Sequence, residues 1–257
     1  LCFVDEAQDL SPMQWDIAHL IEAKTKQMYC AGDDDQAIYK WAGADVDHFL
    51  ELDGGSETLK QSYRIPASVH RVAETIARRI HHRYPKIYKP RKEQGLCSRV
   101  AQVGELDMGE GSWLILAQAG YQLQPVATDL RSFGYLYEYR GSRSIGQKLS
   151  DAVNGWTDLQ RGKEIPIDTA RNIYSFMSTG KRVARGYKKI KGVPDDDLVN
   201  IDDLQISHGL IATKDMIWSE AMDRIADKDR AYITALLRRG EKFNGTPRIT
   251  VSTIHGS

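Results

Sequence analysis

Two adjacent carboxylates directly follow the first apolar stretch of the chain. Residues 1–4 are typical of a buried strand in a parallel sheet, and Asp5 and Glu6 come next. Ligands of open α/β sheets bind at the carboxyl ends of the strands, so both acids are predicted to face a ligand. One carboxylate could hold Mg²⁺, and its neighbour could orient or deprotonate a water that attacks a phosphate. A lone Asp-Glu pair more often marks a turn, so the pair by itself does not establish this chemistry.

A second polar cluster follows the second predicted strand, residues 27–31. Gly32 is followed by three aspartates at 33–35 and then by Gln36. A glutamine amide there could bind a terminal phosphate or an attacking water without adding negative charge. Tyr39 and Trp41 come next, and such rings can stack on unpaired bases at about 1–3 kcal/mol each. Ordinary core packing remains open for either ring.

A third candidate site is the Tyr-Arg-Ile-Pro run at residues 63–66, which follows a predicted strand at 58–61. Tyr63 offers a flat apolar face to an adenine. Arg64 offers a guanidinium for phosphate charge that develops in a transition state. Taken alone, the run is typical of a turn that ends a strand.

The elements that must position these residues alternate between strand and helix, which predicts an α/β fold. Ser11 and Pro12 predict a helix start, with an apolar face at Ile17, Leu20 and Ile21. A helix is predicted at 67–81, with Val69, Val72, Ile76 and Ile80 on one side. Strands at 113–117, 135–139 and 249–254 and a helix at 122–132 form a second group. Residues 142–245 lack strand alternation and predict a mostly helical insertion.

The composition fits a folded domain: of 257 residues, 41% are hydrophobic and 27% charged, with formal net charge +0. No apolar run approaches the roughly 20 residues of a membrane span. Three cysteines without metal-ligand spacing predict reduced thiols in the cytoplasm. Residues 60–92 and 181–191 are rich in basic side chains, and residues 195–203 are acidic. Such runs are either solvated faces or binding surfaces, and the neutral total does not by itself indicate nucleic acid.

Together and in this order, the motifs resemble the UvrD/Rep family of superfamily 1 DNA helicases. Residues 4–9 resemble its Walker B segment (motif II), 32–44 its motif III and 59–64 its motif IV. Residues 113–119 and the following helix resemble the strand-helix unit of the second motor domain. Residues 250–257 resemble the opening of motif V. The order and spacing of these matches span the whole chain.

The resemblance implies RecA-like P-loop NTPase motor domains, with parallel sheets flanked by helices and a mostly helical insertion. Residues 1–55 would be the C-terminal part of RecA-like domain 1A. Residues 56–141 and 246–257 would form an incomplete domain 2A, and 142–245 a reduced 2B-like insertion. The implied activity is ATP-dependent 3′-to-5′ translocation on single-stranded DNA with duplex unwinding, and ATP and Mg²⁺ are the implied cofactors.

Roles at the nucleotide follow from the same resemblance. Asp5 would bind Mg²⁺, and Glu6 would activate the hydrolytic water. Gln36 would sense the γ-phosphate and link it to DNA. Tyr63 would stack on the adenine, and Arg64 would reach the γ-phosphate from the facing domain.

The resemblance also implies the contacts with DNA. Tyr39, Trp41, Thr253 and His255 would contact the single strand, with Trp41 stacking between bases. The implied partners are single-stranded and junction DNA, without a membrane. A cytoplasmic protein of bacterial, phage or archaeal origin is expected.

The sequence departs from the family pattern at several points. It has no Gly-rich phosphate loop ending in Gly-Lys-Ser/Thr and no motif VI. Ala42 stands where relatives commonly have an arginine, and Gln118 replaces another frequent arginine. The chain is therefore expected to be a fragment, inactive by itself. A non-catalytic helicase-like DNA-binding module, the motor part of a helicase-nuclease and an unrelated α/β ATPase remain alternatives.

Overall fold

The structure is a computed structural model that describes residues 1–256. The chain forms two compact units, one comprising residues 1–99 and the other beginning at residue 100. Both units contain parallel strands accompanied by helices, which confirms the predicted α/β class. Among the described residues, no helix is long and apolar enough to cross a membrane.

The first unit is built on two parallel strands, β1 (Cys2–Val4) and β2 (Met28–Cys30), connected through helix α1 (Pro12–Glu22). Helix α1 begins as predicted: Pro12 is its first residue, and the backbone N–H of Ser11 donates to Gln14 Oε1 at 2.8 Å. Helices α2 (Val46–Leu50) and α3 (Ala67–Ala77) follow. The parallel pairing brings the ends of β1 and β2 to one edge of the sheet.

The sheet of this unit is covered on one face. Val4 and Cys30 pack against a small core of Ala7, Trp15 and Ala18. The intervening residue Phe3 points to the opposite face, as side chains alternate along a strand, and it is 71% exposed. The prediction of a buried strand at residues 1–4 was therefore wrong for Phe3, because in this unit the packed core lies on one face of the two-stranded sheet.

Three other local predictions for this unit need correction. The predicted apolar face of α1 is exposed, and Trp15 and Ala18 are buried instead. No strand forms at 58–61, where Gln61 makes a single bridge to Lys89. Helix α3 ends at Ala77, four residues before the predicted end, and its apolar side chains are exposed. Apolar spacing indicates which side chains share a face, but their burial also needs a surface to pack against. The core of this unit is small and provides little such surface.

The second unit begins with strand β3 (Trp113–Ala117), helix α4 (Leu123–Ser132) and strand β4 (Tyr137–Tyr139), close to the predicted positions. A two-residue turn leads from β4 into the short strand β5 (Ser142–Arg143). Both turn residues have positive φ, 48° at Arg140 and 79° at Gly141, as a type I′ hairpin turn requires.

The chain from residue 147 to residue 239 is mostly helical. It contains α5 (Gln147–Gln160), α6 (Ile167–Ser175), α7 (Ile201–Ser207), α8 (Trp218–Ala221) and α9 (Asp227–Arg239). A short antiparallel pair, β6 (Ile165–Pro166) and β7 (Leu198–Val199), lies among them. The largest buried side chains of this helical stretch include Trp156, Tyr174, Leu159 and Ile173. These helices share one continuous core with the sheet of the second unit.

Strand β8 (Ile249–Thr253) returns the chain to that sheet, whose order is β3-β8-β4-β5. It pairs in parallel with both β3 and β4, aligning Thr253 with Ala117. The strand at 249–254 was therefore predicted correctly to within one residue. Its central place puts the residues after Thr253 at the carboxyl edge of the parallel strands.

Candidate functional site

Asp5 and Glu6 lie where they were expected, directly after β1, and both are exposed. Glu6 has a left-handed backbone, with φ 50° and ψ 41°, which is uncommon for a residue other than glycine. Its N–H donates to Asp5 Oδ1 at 3.0 Å. The next backbone N–H, of Ala7, donates to the carbonyl of Ala31 at 2.9 Å, which ties the turn to the end of β2.

Gln8 connects this turn to the second polar cluster. Its side chain is buried, and its Nε2 donates to Glu6 Oε2 at 2.7 Å. Its Oε1 accepts from the N–H of Asp33 at 3.0 Å. Glycine is required at position 32 for this contact, because a Cβ there would lie 2.6 Å from Gln8 Oε1 and 2.9 Å from Phe49 Cζ. Gln8 lies within the motif at residues 4–9, but the motif by itself predicted no role for this side chain.

Gln36 completes a chain of hydrogen bonds that begins at Glu6. Its Nε2 donates to Asp33 Oδ2 at 2.6 Å, and Asp33 in turn donates its N–H to Gln8. The structure thus connects two predicted site residues, Glu6 and Gln36, through Gln8 and Asp33. Both ends of the chain are exposed, so a ligand can reach them.

The three aspartates of this cluster are bound by two cations, Lys86 and Arg83, that were not among the predicted site residues. Lys86 Nζ lies 2.8 Å from Asp33 Oδ1 and 3.3 Å from Asp35 Oδ2, and it also contacts Asp34. Arg83 binds both carboxylate oxygens of Asp35, at 2.8 and 2.5 Å. The available signal was the run of three adjacent acids, which needs nearby cations if it is to be even partly buried.

Burial and ion pairing act in opposite directions on these groups. Burial by itself lowers the pKa of Lys86, but its bonds to Asp33 and Asp34 outweigh burial and raise that pKa above the ordinary lysine value. Burial likewise tends to raise the pKa of Asp33, but hydrogen bonds from Lys86 and Gln36 bring it below its usual range. The pair is therefore charged at neutral pH.

Tyr39 and Trp41 lie next to the aspartate cluster in sequence. Residues 40–42 form one 3-10 turn, which Gly43 ends with a φ of 95°. Trp41 is 73% exposed, whereas Tyr39 is half-buried. The segment is tied back to the first motif, because the N–H of Asp45 donates to the carbonyl of Leu10 at 2.8 Å. Core packing, the alternative left open for both rings, does not describe Trp41 in this chain.

Tyr63 and Arg64 occupy an exposed bend before α3. Tyr63 is 85% exposed. The bend is fixed on either side, because Ile65 donates its N–H to Ser62 Oγ at 3.1 Å and Ser62 donates its own to the carbonyl of Lys89 at 2.8 Å. Within the described residues, the hydrogen bonds between Glu6 and Gln36 do not extend to this bend.

Thr253 and His255 belong to the second unit and are half-buried. Thr253 ends β8, and residues 254–256 form a 3-10 turn. Ser252 is buried and donates its hydroxyl to the carbonyl of Gly256 at 2.9 Å, which holds this turn. Ser257, the last residue of the predicted motif V, lies outside the described residues.

The donor set after β1 suits Mg²⁺. This ion is commonly held by one or two carboxylates together with phosphate oxygens and waters, and Asp5 and Glu6 present exposed carboxylates. A cage made by the protein alone is a different arrangement, and residues 1–256 contain no cluster of three or more His, Cys, Asp or Glu side chains suited to a metal.

Comparison with known proteins agrees with the order of the motifs. The family model described as the UvrD/REP helicase N-terminal domain matches residues 1–55. YjcD of Bacillus subtilis, named as an ATP-dependent DNA helicase, is 25% identical over 192 residues, which cover 71% of this chain and 23% of YjcD. The ATP-dependent DNA helicase PcrA of Staphylococcus aureus is 32% identical over 88 residues, 32% of this chain and 12% of PcrA.

A third relative, named as a DNA helicase II homolog of Rickettsia conorii, is 29% identical over 142 residues, 46% of this chain and 22% of that protein. The matched parts therefore span less than a quarter of each of these three relatives. The motifs at residues 4–9 and 32–44 fall inside the matched family domain. In these matches and in the order of its motifs, the chain is similar to UvrD/Rep helicases.

Proposed function

We propose that this chain is part of the motor of an ATP-dependent DNA helicase that moves 3′-to-5′ on single-stranded DNA and unwinds duplexes. The observation that carries the proposal is the chain of hydrogen bonds from Glu6 through Gln8 and Asp33 to Gln36. It joins a carboxylate suited to activating water with an amide suited to binding a terminal phosphate. Such coupling is what a motor needs if hydrolysis is to change its grip on DNA.

Glu6 is proposed as the base for the attacking water. Its carboxylate is exposed on the ligand side and is oriented by the 2.7 Å bond from Gln8. Gln36 is proposed to bind the γ-phosphate, and as a neutral donor it adds no repulsive charge. Tyr63 and Arg64 are proposed to bind the adenine and the γ-phosphate, and their exposure leaves them available for a nucleotide.

Asp5 is the residue proposed to hold Mg²⁺. When bound, the ion supplies positive charge that offsets the charge of the transferred phosphate. The bond from the Glu6 N–H to Asp5 Oδ1, at 3.0 Å, restrains the Asp5 carboxylate beside the proposed base.

Single-stranded DNA is proposed to contact four side chains, those of Tyr39, Trp41, Thr253 and His255. The exposed ring of Trp41 supports stacking on a base, worth about 1–3 kcal/mol. DNA in single-stranded and junction form is the proposed partner, and the cytoplasm of a bacterium is the proposed location, in keeping with the bacterial sources of the relatives.

The predicted domain plan is retained as part of the proposal. Residues 1–55 would be the tail of RecA-like domain 1A, and 56–141 with 246–257 an incomplete domain 2A. The run of helices α5 to α9 supports a helical insertion at 142–245. The parallel order β3-β8-β4 supports a RecA-like sheet on which that insertion is built.

The test uses a protein of the relatives' length that contains this chain. ATP hydrolysis is measured with and without single-stranded DNA for the wild type, Glu6→Gln and the control Glu51→Gln, an exposed acid of the same unit. Loss of a general base is expected to lower the DNA-stimulated rate by roughly 10²–10⁴-fold in Glu6→Gln. The control should keep the wild-type rate, and unwinding should follow hydrolysis.

The opposite result is equally informative. A wild-type protein that binds DNA but never hydrolyses ATP would refute the motor and leave a helicase-like DNA-binding module. The 257-residue chain alone, which has no Gly-rich phosphate loop, is expected not to hydrolyse ATP.

A further inference from the structure

Lys86 is nearly surrounded by carboxylates. Its side chain is 4% exposed, and an ammonium has three N–H donors. Three aspartates face it: Asp33 at 2.8 Å, Asp35 at 3.3 Å and Asp34 in direct contact. This lysine is therefore committed to the loop that carries Gln36.

Asp33 is the point at which this ion cluster meets the hydrogen bonds of the proposed nucleotide site. Its Oδ1 faces Lys86 at 2.8 Å, and its Oδ2 accepts from Gln36 Nε2 at 2.6 Å. Its backbone N–H donates to Gln8. Lys86 thus restrains the carboxylate whose other oxygen restrains Gln36.

The other two aspartates around Lys86 are each held by a further contact. Asp35 is held by both nitrogens of the Arg83 fork, and Asp34 Oδ2 accepts from the N–H of Tyr84 at 2.8 Å. Three adjacent carboxylates repel one another, so without these cations they would separate and turn toward water. The pKa of Lys86 is raised and that of Asp33 lowered, as expected for a pair that stays charged.

The segment that carries Lys86 is also fixed at its other end. Lys89, three residues further on, accepts from the N–H of Ser62 at 2.8 Å and donates to the carbonyl of Lys60 at 2.6 Å. Ser62 is the residue before Tyr63 in the exposed bend. Residues 83–89 therefore connect the Gln36 loop to the segment that carries Tyr63 and Arg64.

We propose that Lys86 is a positioning residue: acting through Asp33, it sets the orientation of Gln36 and joins that residue mechanically to the Tyr63–Arg64 bend. This inference rests on the proposed function of Gln36 at the γ-phosphate. Lys86 itself touches no nucleotide in this scheme. Its loss should therefore impair turnover more than nucleotide binding.

The experiment uses the full-length protein and three variants: Lys86→Met, Asp33→Asn and the double variant. Lys92→Met is the control, because Lys92 is an exposed lysine of the same unit. Misplacing a group that aligns the reacting atoms should lower DNA-stimulated kcat by about ten- to a hundredfold in Lys86→Met. KM for ATP should stay near that of the wild type, and Lys92→Met should keep both constants.

The double variant tests the route through Asp33. If Lys86 acts through Asp33, the double variant should lose about as much kcat as one single variant, since residues in contact are not additive. Multiplied losses would overturn this route. Unchanged kcat in Lys86→Met would overturn the proposal altogether. Asp33→Asn, which keeps the shape of the side chain, tests the same step if Lys86→Met fails to fold.

Hydrogen exchange keeps the two possible failures apart. Amides of residues 33–36 should exchange faster in Lys86→Met than in Lys92→Met, whether or not the protein hydrolyses ATP. Suppose that Lys86→Met shows faster exchange but the wild type shows no DNA-stimulated ATP hydrolysis. That result would refute the proposed function while supporting the positioning contact. Equal exchange in the two variants would refute the contact.

Discussion

Gly134 lies at a close approach between two helices of the second unit. It follows α4 with a φ of 72°, and a Cβ at this position would lie 2.3 Å from the carbonyl oxygen of Ala235 and 2.4 Å from its carbon. Ala235 belongs to α9, so the clash is with helical backbone. A side chain could rotate away from a new methyl group, but this backbone cannot. Gly134→Ala should therefore force α4 and α9 apart.

The expected cost has two parts. A left-handed backbone costs a residue with a Cβ roughly 1–2 kcal/mol. Forcing an extra carbon into a packed contact costs roughly 1–3 kcal/mol more. The free energy of unfolding of the second unit should thus fall by about 2–5 kcal/mol in Gly134→Ala.

A matched control separates the two parts. Gly240 also ends a helix, with a φ of 77°, but a Cβ there would meet nothing within 4 Å. Gly240→Ala should cost only the backbone part, about 1–2 kcal/mol. Native-state hydrogen exchange of α5 and α9 measures the free energy of opening for this unit, independently of the first.

The comparison has a clear point of failure. If both variants lower the opening free energy by the same amount, the contact between Gly134 and Ala235 contributes nothing measurable, and the packing described for α4 against α9 is wrong. Loss of protection confined to the last turn of α4 would have the same meaning, because an effect transmitted by packing must appear in α9.

Two further predictions concern the first unit. Gln8→Met keeps the approximate shape of the side chain but removes its hydrogen bonds to Glu6 and Asp33. In the full-length protein, kcat for ATP hydrolysis should therefore fall at least about tenfold, with a smaller change in KM. An unchanged kcat would contradict the role given to Gln8. The contribution of Lys86 to stability is the free energy of unfolding of the wild type minus that of Lys86→Met. This difference should be constant from about pH 5 to 10. It should shrink below about pH 4, where Asp33 with its lowered pKa finally takes up a proton, and above about pH 10.4, as Lys86 with its raised pKa loses one. Unfolding measured across this range checks both signs, and a contribution that stays unchanged below about pH 4 and above about pH 10.4 would count against the ion pair.

The α/β class and most strand and helix positions could be predicted from sequence because they depend on local patterns. Alternating strands and helices, Ser11 with Pro12 at a helix start, and acids directly after a strand are all short-range features. The positions of Asp5, Glu6 and Gln36 at strand ends follow from the same patterns. Burial was predicted less well: Phe3 and the apolar residues of α1 and α3 are exposed, because spacing cannot indicate whether a partner surface exists.

The sequence by itself determined which chemical groups are available and the order in which they occur: the acids after β1, the Gly32–Gln36 run and the Tyr63–Arg64 pair. Only the tertiary structure decided how they are connected. Lys86 and Asp33 are far apart in the chain, and nothing in the basic run at 60–92 distinguishes that lysine from its solvated neighbours. Their pairing depends on the return of residues 83–89 to the carboxyl end of β2. Such long-range contacts arise from the packing of the whole unit, whereas strand and helix patterns arise from residues a few positions apart.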